Sequence, residues 1–180
     1  MDKTIKISNH KKPLQNNHIL ETKYKNSIQL YTDGSKAEDN STGAAIHVVN
    51  GYDSIWKLDD FYSIIAAELF AILQALIYIF TNILPENNVT IFTDSKTSLH
   101  IIANPYKSYT SIAFDIRKQI QKILSRGQKL TLQLIPAHKG IIGNERADKA
   151  ANEARTSNNL VQLAPCKEEL VNIIKKHKHT

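Results

Sequence analysis

A single cysteine, Cys166, occurs among the 180 residues, so no internal disulfide can form and the fold must hold without covalent cross-links. The first residues, Met1-Asp2-Lys3-Thr4-Ile5-Lys6, lack the apolar run of a signal peptide. The expected setting is therefore a reducing compartment, nuclear or cytoplasmic, and not secretion. Two matches to the glycosylation sequon, Asn40-Ser41-Thr42 and Asn88-Val89-Thr90, carry no weight there. No internal repeat or low-complexity tract is present, which excludes solenoid and fibrous classes. The seven histidines show no zinc spacing with the lone cysteine, and His177 and His179 sit in a basic tail.

What is present suffices for one domain, since 42% hydrophobic content in a chain of this length can bury a full core. The net charge of +6 is unevenly spread. Residues 1–27 hold six lysines against Asp2 and Glu21, and residues 155–180 hold Arg155 and four lysines against Glu168 and Glu169. These segments carry +4 and +3, which leaves −1 for 28–154. The expected organisation is a flexible basic leader over 1–27, a folded domain over 28–155 and a basic tail over 156–180. Such arms serve either solubility or contact with a polyanion.

The stretch 64–84 is long and apolar enough to raise the question of a membrane span. Glu68, Gln74 and Asn82 argue against one, as does the lack of flanking basic residues and paired aromatic anchors. No membrane partner is expected. A helix that is apolar nearly all round is more simply the central buried helix of an α/β core.

Alternation and turn residues predict strands at 28–33, 43–50 and 52–58, then a long helix capped by Ser63 and running to about Asn82. Pro85 and Asn87-Asn88 break that helix before a fourth strand at 89–93. A short helix over 95–103 ends at Asn104-Pro105, and a further one over about 110–125 places Ile112, Ile116, Ile120 and Ile123 on one face. A fifth strand covers 130–135. Asn144 is expected to cap a last helix whose Ala147, Ala150, Ala151 and Ala154 form a small-residue face. The order implies an α/β sheet with hairpins first and crossovers later.

Two of these strands end alike, in Tyr31-Thr32-Asp33-Gly34-Ser35 and in Phe92-Thr93-Asp94-Ser95. If they lie side by side and parallel, joined through the long helix, Asp33 and Asp94 emerge at one sheet edge, where open α/β sheets build their sites. Glu68 interrupts the apolar helix, and Asp148 lies in Gly143-Asn144-Glu145-Arg146-Ala147-Asp148 near the start of the last one. Each acid has a structural alternative. Asp33-Gly34 is a common hairpin turn pair, Asp94 could cap a helix, and Asp148 would suit the positive end of a helix dipole. Glu68 among Ile64, Ile65, Leu69 and Ile72 would need a buried basic partner, because an uncompensated ionised carboxylate there costs several kcal/mol. Taken jointly, four acids at element ends favour oxygen-only ligation of divalent cations, which suits Mg²⁺ or Mn²⁺.

The segments Tyr31-Thr32-Asp33-Gly34-Ser35, Ala67-Glu68-Leu69, Phe92-Thr93-Asp94-Ser95 and Pro136-Ala137-His138-Lys139-Gly140-Ile141-Ile142-Gly143-Asn144-Glu145-Arg146-Ala147-Asp148 resemble the type 1 ribonuclease H domain, in order. The last is most similar to versions attached to reverse transcriptases of non-LTR retrotransposons. The resemblance implies the ribonuclease H-like fold, a five-stranded mixed sheet of order 3-2-1-4-5 flanked by helices. It implies endonucleolytic hydrolysis of the RNA strand of RNA/DNA hybrids by two Mg²⁺ ions, with Mn²⁺ as a substitute, in a chain that is part of or adjacent to a reverse transcriptase polyprotein. Asp33 would bridge the ions, Glu68 and Asp94 would complete one shell, and Asp148 would help hold the other. His138 would sit on a loop that Gly140 and Gly143 let move, assisting proton transfer or product departure; its alternative is a surface loop histidine. Gly34, Ser35, Ser95 and Asn144 are implied contacts to the hybrid.

Departures from the family pattern are Ile64-Ile65, where cellular members usually carry polar amides, and Lys96, where a glutamine is frequent. Leu134 and Ala137 stand where the retroelement loop often has tryptophan and glycine, which bears on how His138 is presented. No inserted basic handle lies between Ser95 and Leu130. Instead Lys118, Lys122 and Arg126 follow at helical spacing, either as a solvated face or as a phosphate-binding stripe. Two other functions share the scaffold: a non-catalytic hybrid-binding or structural module, and an integrase- or resolvase-like DNA nuclease.

Overall fold

Hairpins first and crossovers later is the order in which the chain builds its sheet. The computed structural model describes residues 6–8, 17–104, 111–162, 170 and 174, which form seven strands and five helices. A short strand β1 (Lys6–Ser8) and helix α1 (Asn17–Lys23) precede the meander β2 (Ser27–Lys36), β3 (Thr42–Val48) and β4 (Asp53–Leu58). Helix α2 (Ile64–Asn82) then crosses to β5 (Asn88–Thr93), followed by α3 (Lys96–Ala103) and α4 (Ser111–Ser125). Strand β6 (Leu130–Leu134), helix α5 (Ile142–Ala154) and strand β7 (Leu160–Val161) complete it. The beginning of the helix expected from residue 110, and Cys166, lie outside the described residues.

The sheet order is β1-β6-β5-β2-β3-β4-β7, antiparallel within the β2–β3–β4 meander and parallel elsewhere. This seven-strand order replaces the five-strand order expected from the sequence. The additional strands are three and two residues long, come from the 1–27 and 156–180 segments, and take their strand state from docking on β6 and β4. Pairs that short have no alternation of their own to read. A second correction concerns β2, which runs to Lys36 rather than ending at Asp33. Asp33 and Gly34 pair with Ala45 and Ala44 of β3, so they are strand residues and not a hairpin turn.

Period-two alternation divides the core between two faces. Leu30, Ala44, Ile46 and Val48 pack with α2, α3 and the isoleucines of α4, while Tyr31, Phe92, Ile135, Ile141 and Ala147 gather on the opposite face. Helix α2 is the central buried helix. It has the length and apolarity of a membrane-spanning segment, and its ten buried residues pack inside the protein. Ser63 caps its start, accepting a hydrogen bond from the Ala66 amide at 3.1 Å.

Two glycines set the distance between layers. A Cβ on Gly34 would stand 2.6 Å from the Glu68 amide nitrogen of α2, and one on Gly43 would stand 2.4 Å from the Ala151 carbonyl oxygen of α5. Each helix therefore rests on bare strand backbone. The alanine face of α5 makes the second approach possible, with Ala147, Ala151 and Ala154 fully buried.

The far end of α2 is held by Arg126. Its guanidinium donates to the carbonyls of Phe80 at 2.7 Å, Ile79 at 2.9 Å and Ile83 at 3.0 Å, and Gln128 reaches those of Leu84 and Asn87. The last carbonyls of a helix lack intrahelical donors, and the guanidinium supplies donors at this end and in the turn that follows it. Arg126 is thus removed from the expected basic stripe, leaving Lys118 and Lys122 exposed on α4. Arg126→Ala is expected to lower the melting temperature by roughly 3–12 °C, since hydrogen bonds to a charged group are worth about 1.5–3 kcal/mol and a kcal/mol moves a chain of this size by about 2–4 °C. Lys118→Ala and Lys122→Ala should leave it within about 2 °C. Thermal denaturation of the three variants checks this, and equal shifts in all three would contradict the capping role.

Candidate active site

The parallel register of β2 and β5 brings the first two acids together. Tyr31 pairs with Phe92, the last pairing between these strands, and Asp33 and Asp94 each lie two residues further on. The expectation that both leave by one sheet edge is met by this register. The Thr93 carbonyl accepts from the Ile135 amide at 3.0 Å, and its hydroxyl accepts from the Ser95 amide at 3.1 Å, which turns the chain sharply after Asp94. Ser95, not Asp94, caps α3.

Glu68 arrives from the other layer. Gly34 lets the first turns of α2 lie on β2, and Asp33, Glu68 and Asp94 each present a carboxylate oxygen within 4.8 Å of the others. Asp33 is 6% exposed and Glu68 7% exposed. Among the described residues the Glu68 Oε2 atom has no hydrogen-bond partner, and burial and the charges of Asp33 and Asp94 dominate its environment. Two like charges at that separation repel by about 3 kcal/mol at an effective dielectric of about 20, so such a cluster does not stay ionised unaided.

The acidities record this crowding. Asp33 is pushed from its ordinary 3.8 up to about 8, mainly by burial, then by the charges of Asp94 and Asp148, against a hydrogen bond from the Gly34 backbone. Glu68 is raised well above its usual range by burial, then by Asp33 and Asp94. The donors fit a hard divalent cation. They are oxygens only, they converge, and one of them is buried with nothing to bond.

Asp148 lies half-buried on α5, near enough for its charge to raise Asp33, but outside the group of three converging oxygens. It is the seventh residue of α5, so the favourable first-turn dipole does not explain it. Asn144 is not the cap of α5: the cap position is Ile141, which makes no side-chain cap bond. Asn144 instead is 3% exposed and donates from Nδ2 to Asp94 Oδ2 at 3.1 Å, leaving its Oδ1 buried without a partner. An asparagine near a helix start fits capping statistics equally well, which is why sequence alone misplaces it.

The other implied substrate contacts are also engaged within the protein. Gly34 lies under α2, Ser95 caps α3 by accepting from the Ser98 amide, and the Ser35 hydroxyl donates to Asn152 Oδ1 at 2.7 Å. Asn152 in turn donates to the Asp148 carbonyl at 2.9 Å. Asn152 was not singled out in the sequence, although its i, i+4 spacing from Asp148 is a signal that could have found it. His138 is exposed on the loop between β6 and α5, outside the carboxylate group, and holds φ at 49°. That left-handed conformation is uncommon for a residue with a Cβ.

A family model described as RNase H matches residues 25–156. The matched region contains all four acids and His138, and it begins after α1.

In chelator, the protein should lose stability as pH rises. Because the folded-state value of Asp33 lies above its ordinary one, its contribution is complete below about pH 4 and is lost as pH climbs through about 8. Melting curves across that window should fall more steeply for the parent than for Asp33→Asn. Millimolar Mg²⁺ should restore the parent at the alkaline end and leave the variant unchanged. Superimposable parent and variant profiles would contradict the assigned electrostatics.

Proposed function

The chain belongs to the RNase H family, and from that premise we propose that it hydrolyses the RNA strand of RNA/DNA hybrids at a divalent-cation centre. The single observation that carries this reading is the buried, partnerless Oε2 of Glu68 beside the carboxylates of Asp33 and Asp94. A fold bears that arrangement when the missing counter-charge is a cation.

Asp33, Glu68 and Asp94 would hold a cation, and Asp148 would contribute to a second beside Asp33. Mg²⁺ suits the hard oxygen donors, with Mn²⁺ as a substitute. When bound, two such cations activate the attacking water and stabilise the leaving oxygen of an in-line displacement at phosphorus. The chain's own residues prepare that chemistry. Burial makes ionised Asp33 and Glu68 costly without a counter-charge, and the Asn144 amide fixes the rotation of the Asp94 carboxylate. The Ser35–Asn152 hydrogen bond ties β2 to α5, the helix that carries the fourth acid. His138 can give a proton from a ring nitrogen to the departing oxygen.

Substrate choice rests on duplex shape and the 2′-hydroxyl rather than base identity. The sequence of 136–148 supports a retroelement ancestry, with a reverse transcriptase as the adjoining polypeptide.

Labelled RNA/DNA hybrid, double-stranded RNA and double-stranded DNA, each with Mg²⁺, Mn²⁺ or chelator, test the reading. Cleavage confined to the RNA of the hybrid and lost in chelator is expected. Binding without products would instead indicate a structural module, and cutting of double-stranded DNA a DNA nuclease. Asp94→Asn should stay folded and slow cleavage by at least about 10²-fold, the scale on which losing one preorganised electrostatic group slows a reaction. His138→Ala should cost less, at most about 10²-fold, the lower end of what a positioned acid or base contributes.

A further inference from the structure

Helix α5 carries Asn144 and Asp148, yet its own cap position, Ile141, supplies no side-chain acceptor. The first amides of a helix need partners, and an aliphatic side chain cannot provide one. The acceptor comes from a distant part of the chain. The Ile142 amide donates to Asn17 Oδ1 at 3.2 Å, and Asn17 Nδ2 donates to the Gly140 carbonyl at 2.8 Å. One carboxamide on α1 thus closes a two-point bond across the junction where the His138 loop enters α5.

The two ends of that loop are held differently. At its start, Ile135 is buried and its amide is bonded to the Thr93 carbonyl beside Asp94. Residues 137–140 are then exposed, with His138 and Gly140 both at positive φ, 49° and 71°. At its end Ile141 is buried, and Asn17 bonds the backbone on either side of it. A segment that holds left-handed residues between two anchors keeps its shape only if both hold.

Helix α1 is firm enough to serve as the second anchor. Leu20 within it is 2% and Tyr24 just past its end 8% exposed, packed in the cluster of Tyr31, Phe92, Ile135, Ile141 and Ala147. The Tyr24 ring meets Phe92 edge-on at 5.1 Å, and its hydroxyl donates to Gln133 Oε1 on β6. Asn17 therefore sits on an element tied to the same strands that deliver Asp94 and the loop.

We propose that Asn17 is a positioning residue: it caps α5 from outside and fixes the loop that presents His138 for turnover. The inference rests on the His138 role proposed above. Nothing in the local sequence announces it, because the partners are more than 120 residues apart.

The full chain with Asn17→Ala and Asn17→Asp tests it by two readouts. Amide hydrogen exchange at Ile142 should quicken about tenfold in Asn17→Ala and stay near parental in Asn17→Asp, which keeps the accepting oxygen. Steady-state cleavage of hybrid, measured well below the melting temperature, should show kcat reduced about 3–10-fold in both variants with KM unchanged, since both lose the bond to Gly140. Parental kcat in Asn17→Ala, whatever its exchange, would overturn the positioning role, and unchanged Ile142 exchange in that variant would overturn the cap. A parent inert on hybrid would instead sink the functional reading, and the role in turnover with it, while the exchange experiment would still decide the cap.

Discussion

Three carboxylates converge within 4.8 Å, two of them buried, and the elements that carry them must bear that repulsion. A fold tolerates such a concentration only if the groups cannot drift apart, because separation would relieve the strain at once. Drift is prevented by taking each acid from a different rigid element. Asp33 belongs to an interior strand bonded on both sides, Asp94 follows a buried strand end, and Glu68 stands on the central helix. The counter-charge can then be left to a cation.

That arrangement makes α2 the critical element. It is apolar nearly all round, so burial holds its position between the sheet and α4, but burial alone does not fix its sliding or rotation. Ser63 at one end, Arg126 at the other and the contact on Gly34 between them supply those constraints. A shift of one residue along the axis would rotate Glu68 by about 100° away from Asp33. Precision at the site is thus set partly by a guanidinium at the opposite end of a nineteen-residue helix.

Much of this is legible in the sequence because the signals are local. Glu68 stands out by breaking an apolar run, Ser63 by preceding it, and the isoleucines of α4 by their spacing, and all appear where that reading puts them. Asp33 and Asp94 follow from the connection rule, since a helical crossover makes their strands parallel. What escapes is non-local. Arg126 reads as one more exposed cation until the carbonyls of α2, 43 to 47 residues earlier, are seen to meet it. Asn144 obeys a capping preference that Asp94 overrides, and β1 and β7 are too short to carry a pattern. Local chemistry names the groups, whereas partner choice is settled by tertiary packing.

The two shortest strands alter what the sheet offers to other polypeptides. β6 and β4 would otherwise end the sheet as strands of five and six residues with rows of unpaired amides and carbonyls, the template on which foreign strands assemble. Among the described residues, three of β1 and two of β7 cover these rims, each strand too brief to seed a regular ladder. Shielding against fibril-like self-association is in this way built from segments that each lend the hydrophobic interior one partly buried side chain, Ile7 and Val161.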